Sequence, residues 1–257
     1  TLSLALASVM LVGMMSVGAS AVNASDFTDA DEIVNKDAVS TMTALGIING
    51  KEDGSYFDPT GTVTRAEMAK MLCVAINGGV DPVLGVKDTP TFTDIKGHWA
   101  ESYIEYCAAN GIIAGRGNNK FDPTGTVSAT EAAKMLLGVL GYNAEKSGLV
   151  GNDWAINTNV LANQNGLYKN LSNLNANTLL TRDNAAQMIY NALDANMVEL
   201  NAAGNYTTSQ YSYTGTESVV TGTERVWVVK IKDSSVNDAI KALDGSVYNS
   251  RQDAIDT

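Results

Sequence analysis

The sequence predicts a mainly α protein of three helix–loop–helix copies, followed by a short β-containing segment. Three observations carry this prediction: a heptapeptide that recurs letter for letter, apolar residues spaced as on one face of a helix, and a C-terminal stretch rich in Tyr, Thr and Val. The 257 residues are enough for one or two domains with buried cores. Two Cys cannot staple a chain of this length, which excludes a disulfide-based miniprotein.

The internal repeat is the strongest of these signals. The heptapeptide FDPTGTV occupies residues 57–63 and recurs at residues 121–127, 64 residues later. Further matches surround it in the same order: FTD at 27–29 and 92–94, GII at 46–48 and 111–113, AKML at 69–72 and 133–136. Units of this kind bury a core only by packing on one another, so we expect the copies to form one assembly.

A third copy is degenerate but visible. Trp154 matches Trp99, and residues 181–193 match residues 128–140. Between these matches the FDPTG turn is missing and Asn is abundant. We therefore expect three copies, at residues 25–90, 91–147 and 148–200.

The first helix of copy two shows how each copy begins. One helical face collects five side chains, namely Trp99, Tyr103, Ile104, Cys107 and Ala108. Asn110 and Gly111 then end the helix, because both residues tolerate the left-handed conformation of a C-terminal cap. The loop that follows contains Gly115, Gly117 and Pro123, which favour turns.

The second helix of each copy begins with a Ser or Thr, followed three residues later by a polar residue: Thr64 and Glu67, Ser128 and Glu131, Thr181 and Asn184. In the first two copies this is a capping box, because the hydroxyl caps a free amide and the carboxylate reaches back. Asn184 weakens the reciprocal half in copy three.

The N-terminal residues 1–24 predict an export signal whose basic n-region is missing. They carry no charge and combine an apolar block with small residues, as in the h-region and cleavage region of such signals. A retained membrane anchor is the alternative. The apolar stretch is marginal for a span of ~20 residues, and no Lys or Arg marks its end, so we favour cleavage and exclude this segment from the fold.

Composition excludes several classes of function. The 28 acidic and 17 basic side chains give a net charge of −11, which argues against binding nucleic acid through a basic surface. His98 is the single His and has no metal-site partners, so we interpret it as part of a helix start and expect no metal or other cofactor. Export would permit a disulfide between Cys73 and Cys107, but their apolar, helical surroundings favour buried free thiols.

The order and spacing of these motifs resemble one known family. FTDIKGHWAESYIEYCAANGIIAG at residues 92–115, the FDPTGTV heptapeptides and TRAE at residues 64–67 resemble the S-layer homology (SLH) domain, and the resemblance covers roughly residues 26–198. It implies a pseudo-threefold assembly whose grooves bind a pyruvylated secondary cell-wall polysaccharide attached to peptidoglycan. It also implies a secreted protein, held non-covalently at the cell wall or S-layer, with other S-layer subunits as further partners and no membrane contact after signal cleavage.

Arg65 is the first candidate for contact with such a glycan. A cation in the first helical turn faces the positive end of the helix dipole, at a cost of ~0.3–1 kcal/mol, which a carboxylate ligand would reverse. A solvated Arg that simply tolerates the cost is the alternative. The resemblance favours binding by Arg65 and by Arg182, whereas Ala129 stands in their place in copy two and predicts a weak or silent groove. Because a first-turn Arg should contribute little to the core, we expect Arg65→Ala to weaken wall binding without unfolding.

Two further pairs of residues are glycan candidates. Trp99 is interpreted from the residues alone as a core aromatic, whereas the resemblance places it and Trp154 against a sugar ring. Copy one has Val34 at this position. Asp29 and Asp94 either cap the following helix or accept sugar hydroxyls.

Residues 201–257 change character, and two or three β-strands are predicted there, with a short helical pattern at residues 236–243. We expect anchoring rather than catalysis. A glycan hydrolase needs two carboxylates ~5–10 Å apart, and no acidic pair recurs at a spacing that shares one face. Two alternatives stay open: a tethered secreted enzyme whose catalytic domain lies outside this sequence, and a lattice module without sugar binding. The presence of Arg65 and Trp99 speaks against the second.

Overall fold

The computed structural model describes residues 22–51, 53–171, 174, 177–208, 211–221, 224–233, 240–242 and 247–248. Nearly all of the predicted export signal therefore lies outside the described residues. Within the described residues, every helix is too short or too polar to cross a lipid bilayer.

The described chain is mainly helical, as predicted. Its α-helices are α1 (Lys36–Ala44), α2 (Arg65–Ile76), α3 (Glu101–Ala109), α4 (Ala129–Val139), α5 (Trp154–Gln164) and α6 (Arg182–Asp194). Two helices fall in each of the three expected copies.

Strands follow the helices. A two-stranded antiparallel sheet joins β1 (Val198–Leu200) to β2 (Tyr206–Thr208). A second antiparallel sheet has the order β3 (Tyr211–Thr221), β4 (Glu224–Asp233), β5 (Ile240–Ala242), β6 (Val247–Tyr248). The short helix expected at residues 236–243 is wrong where the chain is described, because residues 240–242 form β5 and pair with β4.

The predicted helix ends are confirmed. Asn110 is the C-cap of α3, and Gly111 has a positive φ of 71°. Helices α2 and α4 both begin with a complete capping box. In α6 the Thr181 side chain accepts a bond from the Asn184 amide without the reciprocal bond, as the missing carboxylate predicts.

The helices close into a ring. The second helix of each copy packs against the first helix of the next copy: α2 on α3, α4 on α5, and α6 on α1. The same relationship is used three times, so the pseudo-threefold arrangement implied by the family resemblance is present in the structure.

A cycle of backbone hydrogen bonds forms the centre of this ring. The amide of Val63 donates to the carbonyl of Leu180 at 2.9 Å, Leu180 to Val127 at 2.8 Å, and Val127 back to Val63 at 2.9 Å. Each of these three residues lies directly before the N-cap residue of a second helix, and their side chains are fully buried. The cycle therefore fixes the starts of α2, α4 and α6 relative to one another.

The repeated FDPTG turn has a geometric reason for its identity. Asp58 and Asp122 adopt positive φ values of 61° and 62°, a conformation that Asp tolerates better than most residues. A Cβ atom at Gly61 or Gly125 would collide with the carboxylate of that Asp. The turn thus requires both a short polar residue and a glycine.

Candidate functional site

The first-turn arginines are internal to the assembly. Arg65 is 3% exposed; its Nε donates to the carbonyl of Phe121 at 2.8 Å and its Nη2 to the carbonyl of Ala114 at 2.7 Å. The guanidinium carbon also lies 4.3 Å from the centre of the Phe121 ring. Arg65 thus binds the loop of the next copy.

Arg182 makes the same contacts with copy one. It is 6% exposed and donates to the carbonyls of Phe57 and Asn49, both at 2.7 Å. Its guanidinium carbon lies 5.0 Å from the centre of the Phe57 ring. The expectation that a first-turn Arg contributes little to the core is therefore wrong: each guanidinium is buried and joins two copies.

Electrostatics around Arg65 explain how a cation is accommodated at a helix start. Burial lowers the pKa of Arg65 to about 10, so it stays protonated at neutral pH. Carbonyl oxygens and Glu131, whose Oε1 lies 3.4 Å from Nη1, offset the positive end of the α2 dipole. Although burial opposes ionisation of Glu131, hydrogen bonds from the Ser128 amide and from Arg116 lower its pKa.

Trp99 lies at the surface, just before α3. It is 55% exposed, so its assignment as a core aromatic is wrong. Its ring centre lies 6.4 Å from that of Tyr103, and the ammonium of Lys70 lies 5.6 Å from the centre of the Tyr103 ring. An exposed indole and a cation therefore lie on one surface.

Trp154 occupies the matching place at the start of α5. It is half-buried, and Lys134 holds its ammonium 5.2 Å from the centre of the Trp154 ring. Burial and the neighbouring positive charge of Arg65 lower the pKa of Lys134. Lys134 therefore lies over the Trp154 ring and within electrostatic range of Arg65.

Three equivalent surfaces result, and we name each after its pair of helices. The α4–α5 surface consists of Arg65, Glu131, Lys134 and Trp154. The α2–α3 surface consists of Arg182, Glu67, Lys70 and Trp99. The α6–α1 surface has Ala129, Asn184, Gln187 and Val34 at the corresponding positions. On this last surface all four positions are changed, so none of them carries the arginine, the carboxylate, the lysine or the tryptophan of the other two.

The losses on the α6–α1 surface are linked by structure. The amide of Ala129 donates to the carbonyl of Thr178, in the segment where copy three lacks the FDPTG turn. Ala129 therefore faces the one loop that has no Phe carbonyl and ring for an arginine. The arginine is absent where its receiving turn is absent.

Lys70 and Lys134 are not among the glycan candidates that the sequence predicts. A signal existed, because Lys70 and Lys134 stand in the AKML tetrapeptides that recur at residues 69–72 and 133–136. Lys70 lies three residues after Glu67, and Lys134 lies three residues after Glu131, a spacing that places each lysine on the same helix face as the carboxylate of the capping box.

Asp29 and Asp94 have a structural role that the sequence did not reveal. The Asp29 carboxylate accepts hydrogen bonds from the Phe57 amide at 2.9 Å and the Asp58 amide at 2.7 Å. It makes no cap bond to the short 3-10 helix Ala30–Glu32 that follows it. Of the two alternatives for Asp29, capping of that helix is therefore wrong. Asp94 accepts the equivalent two bonds in copy two, at 2.9 and 2.8 Å. Both residues hold the FDPTG turn in place.

His98 belongs to the helix start, as expected. Its Nδ1 accepts a hydrogen bond from the Ala100 amide at 3.1 Å. Across the described part of the chain, no three His, Cys, Asp or Glu side chains come together as a metal site.

Comparison with known proteins finds a family similarity in two stretches of the repeated sequence. The S-layer homology domain profile matches residues 26–69 and 91–133, which lie in copies one and two. Each match extends from the FTD motif into the second helix. The first match therefore includes Asp29 and Arg65, and the second includes Asp94 and Trp99.

Three similar proteins illustrate the range of relatives. An S-layer protein of Bacillus licheniformis is 32% identical over 111 residues, 43% of this chain and 12% of that protein. The exoglucanase XynX of Acetivibrio thermocellus is 28% identical over 156 residues, 57% of this chain and 14% of the enzyme. A cell surface protein of Thermoanaerobacter kivui is 29% identical over 192 residues, 74% of this chain and 24% of that protein. The chain thus spans at most about a quarter of the length of these three relatives.

Proposed function

We propose that the helical part of this chain anchors an exported surface protein to a bacterial cell wall, by binding an anionic secondary cell-wall polysaccharide without a covalent bond. The S-layer homology matches support anchoring, as does the likeness to S-layer and cell surface proteins. Residues 148–200 act as a third S-layer homology copy in this proposal. The support is that α5 and α6 pack in the ring as the other helix pairs do.

One observation carries the glycan proposal. On the α4–α5 surface the Lys134 ammonium lies over the Trp154 ring, and on the α2–α3 surface Tyr103 lies next to both Lys70 and Trp99. A flat indole suits the C–H face of a sugar ring, and an ammonium group attracts a carboxylate such as that of a pyruvyl group. This pairing gives an acidic chain two local sites for an acidic sugar.

The arginines have a different role in this proposal. Arg65 and Arg182 use their donors on carbonyl oxygens of the neighbouring loop, so they position that loop and add positive charge from beneath the surface. Asp29 and Asp94 similarly hold the turn through its amides. We assign direct glycan contact to Trp99, Trp154, Lys70 and Lys134.

Only two of the three surfaces bind in this proposal. The α6–α1 surface has Val34 in place of tryptophan and Gln187 in place of lysine, and Gln187 is buried and hydrogen-bonded to Asn191. We therefore expect two binding surfaces per chain. The likeness to an exoglucanase fits this scheme, since an anchor of this kind is independent of the protein attached to it.

Cosedimentation of the full chain with purified cell walls tests the proposal. The chain should sediment with intact walls and remain in solution after chemical removal of the secondary polysaccharide. Trp99→Ala combined with Trp154→Ala should lower wall affinity about 10- to 100-fold, because burying a large apolar side chain against a ligand contributes roughly 1.5–3 kcal/mol. The melting temperature should change little, because Trp99 is exposed and Trp154 half-buried.

Ile156→Ala is the matched control. Ile156 is an exposed apolar residue on α5, two positions after Trp154. Its variant should bind as the parent chain does. Undiminished sedimentation with stripped walls would contradict the glycan proposal and favour a protein lattice contact.

A further inference from the structure

The two cysteines meet at the contact between copies one and two. Cys73 lies in α2 and Cys107 in α3, and their Sγ atoms are 3.4 Å apart. Both side chains are buried, with 1% and 0% exposure, and both are free thiols in this structure, as the sequence favoured. They are the two cysteines of the whole sequence.

The helices approach closely at this point. The Cys73 thiol lies 3.6 Å from the carbonyl of Tyr103, and the Cys107 thiol lies 3.7 Å from the carbonyl of Ala69. Each carbonyl belongs to the residue one helical turn before the opposite cysteine. The two thiols thus bridge α2 and α3 reciprocally.

Packing does not explain the choice of cysteine. At the equivalent positions, the α4–α5 contact has Leu137 and Ala162, and the α6–α1 contact has Tyr190 and Met42. At these two contacts a large residue paired with a small or flexible one fills the same place, and neither residue has a thiol. Of the three helix contacts, the α2–α3 contact is therefore the one that places two thiols side by side.

We propose that Cys73 and Cys107 form a disulfide that covalently joins copies one and two in the exported protein. A disulfide oxidant supplies the chemistry: one protein thiolate attacks it and forms a mixed disulfide, and the second protein thiolate then attacks the protein sulfur of that mixed disulfide and expels the remaining oxidant thiol. One S–S bond forms in the protein, one breaks in the oxidant, and the oxidant leaves as two thiols carrying the two hydrogens. Compartments outside the cytoplasm permit this reaction. The inference is independent of glycan binding.

The surroundings determine when oxidation occurs. The hydrogen bond with Cys73, together with burial, raises the pKa of the Cys107 thiol. Since the thiolate is the reactive species and both sulfurs are shielded, the folded chain reacts slowly. The disulfide therefore forms while α2 and α3 are still coming together, and the closing of the ring then protects it.

Refolding of the full chain tests this proposal. The denatured and reduced chain is refolded with a mixture of oxidised and reduced glutathione, and free thiols are then titrated in denaturant. We expect no free thiol, a mass lower by two hydrogen atoms, and monomers on a non-reducing gel. The melting temperature should rise by about 10 °C relative to the reduced chain, because the cross-link restricts the unfolded state, and reductant applied during a new unfolding cycle should reverse the rise.

The double variant Cys73→Leu with Cys107→Ala is the matched control. It copies the pair found at the α4–α5 contact, so it should fold, and its melting temperature should not respond to oxidant. Three results would overturn the proposal: two free thiols after oxidative refolding, a glutathione adduct in place of the internal bond, or disulfide-linked dimers.

Discussion

The Nε of Arg65 donates a hydrogen bond of 2.8 Å to the backbone carbonyl of Phe121, across the boundary between copies one and two. Arg182 repeats this bond with Phe57, at 2.7 Å, across the boundary between copies three and one. An arginine at the start of a helix is thus a structural link between copies.

Replacing Arg65 with Ala should destabilise the assembly. The variant leaves the carbonyls of Phe121 and Ala114 without their buried donor, and we expect a loss of about 2–4 kcal/mol in the free energy of unfolding. Urea denaturation monitored by circular dichroism measures this loss. Arg116→Ala is the control, because Arg116 also bonds to Glu131 but is exposed, and it should cost about 0–1 kcal/mol. Equal losses would contradict the structural role of Arg65.

Introducing an arginine at residue 129, in copy two, should not stabilise the protein. Ala129 is buried and faces a loop without the FDPTG turn, so Ala129→Arg places a cation where no Phe carbonyl receives it. We expect the variant to lose about 1–3 kcal/mol of stability. Asn163→Arg, at an exposed position of α5, should be nearly neutral. A gain in stability for Ala129→Arg would contradict this, because it would show that the loop opposite residue 129 can still accept the hydrogen bonds of an arginine.

Replacing Asp94 with Asn should loosen the turn of copy two. The carboxylate accepts bonds from two backbone amides, whereas an amide side chain offers a single oxygen and no charge. We expect thermal denaturation to show a loss of about 1–3 kcal/mol. The control is Asp153→Asn, because Asp153 makes no side-chain cap bond to α5. A neutral result for Asp94 would mean that the Phe121 ring alone fixes the turn.

Acid should destabilise the protein below about pH 4.5. Burial opposes ionisation of Asp94 and Glu131, but hydrogen bonds to their carboxylates lower both pKa values below 3.8 and 4.5, and the Lys51 ammonium does the same for Asp58. As the pH falls, the unfolded chain then binds more protons than the folded chain. The stability that these carboxylates contribute is therefore complete above their unfolded-state pKa values and is lost as the pH falls through their folded-state pKa values. Melting temperatures measured from pH 7 to pH 2.5 check this. A constant melting temperature below pH 4.5 would contradict it.

Reversing the charge of Lys134 should weaken wall binding without unfolding the chain. In Lys134→Glu the ammonium beside Trp154 is replaced by a carboxylate, which repels an acidic glycan. We expect at least about a tenfold loss of wall affinity, most visible at low salt, where charges are less screened. Lys146→Glu makes the same change in net charge at an exposed loop position and should bind like the parent chain. Equal effects of the two variants would show that net charge alone governs binding.

Local signals explain what could be predicted. The capping boxes, the Asn110–Gly111 helix end and the placement of two helices in each copy all depend on residues three or four positions apart, and all are confirmed. The turn residues of FDPTG belong to the same class. Such features form from short-range hydrogen bonds, so one copy of the sequence contains the information for them.

The candidate site was predicted less completely. Arg65 and Phe121 are 56 residues apart, and Asp94 reaches Phe121 across 27 residues. Neither partner could be identified from helical spacing. Trp99 has the periodicity of the buried face of α3, yet it precedes the helix and lies exposed.

The sequence alone determined the repeated unit, the helix ends and the loss of the turn in copy three. Only the tertiary structure decided that the arginines are buried, that the aspartates hold turns and that tryptophan and lysine share a surface. The physical reason is ring closure. Packing of each second helix on the next copy brings together side chains and carbonyls from different copies, and their desolvation and hydrogen bonding depend on that contact rather than on neighbours in sequence.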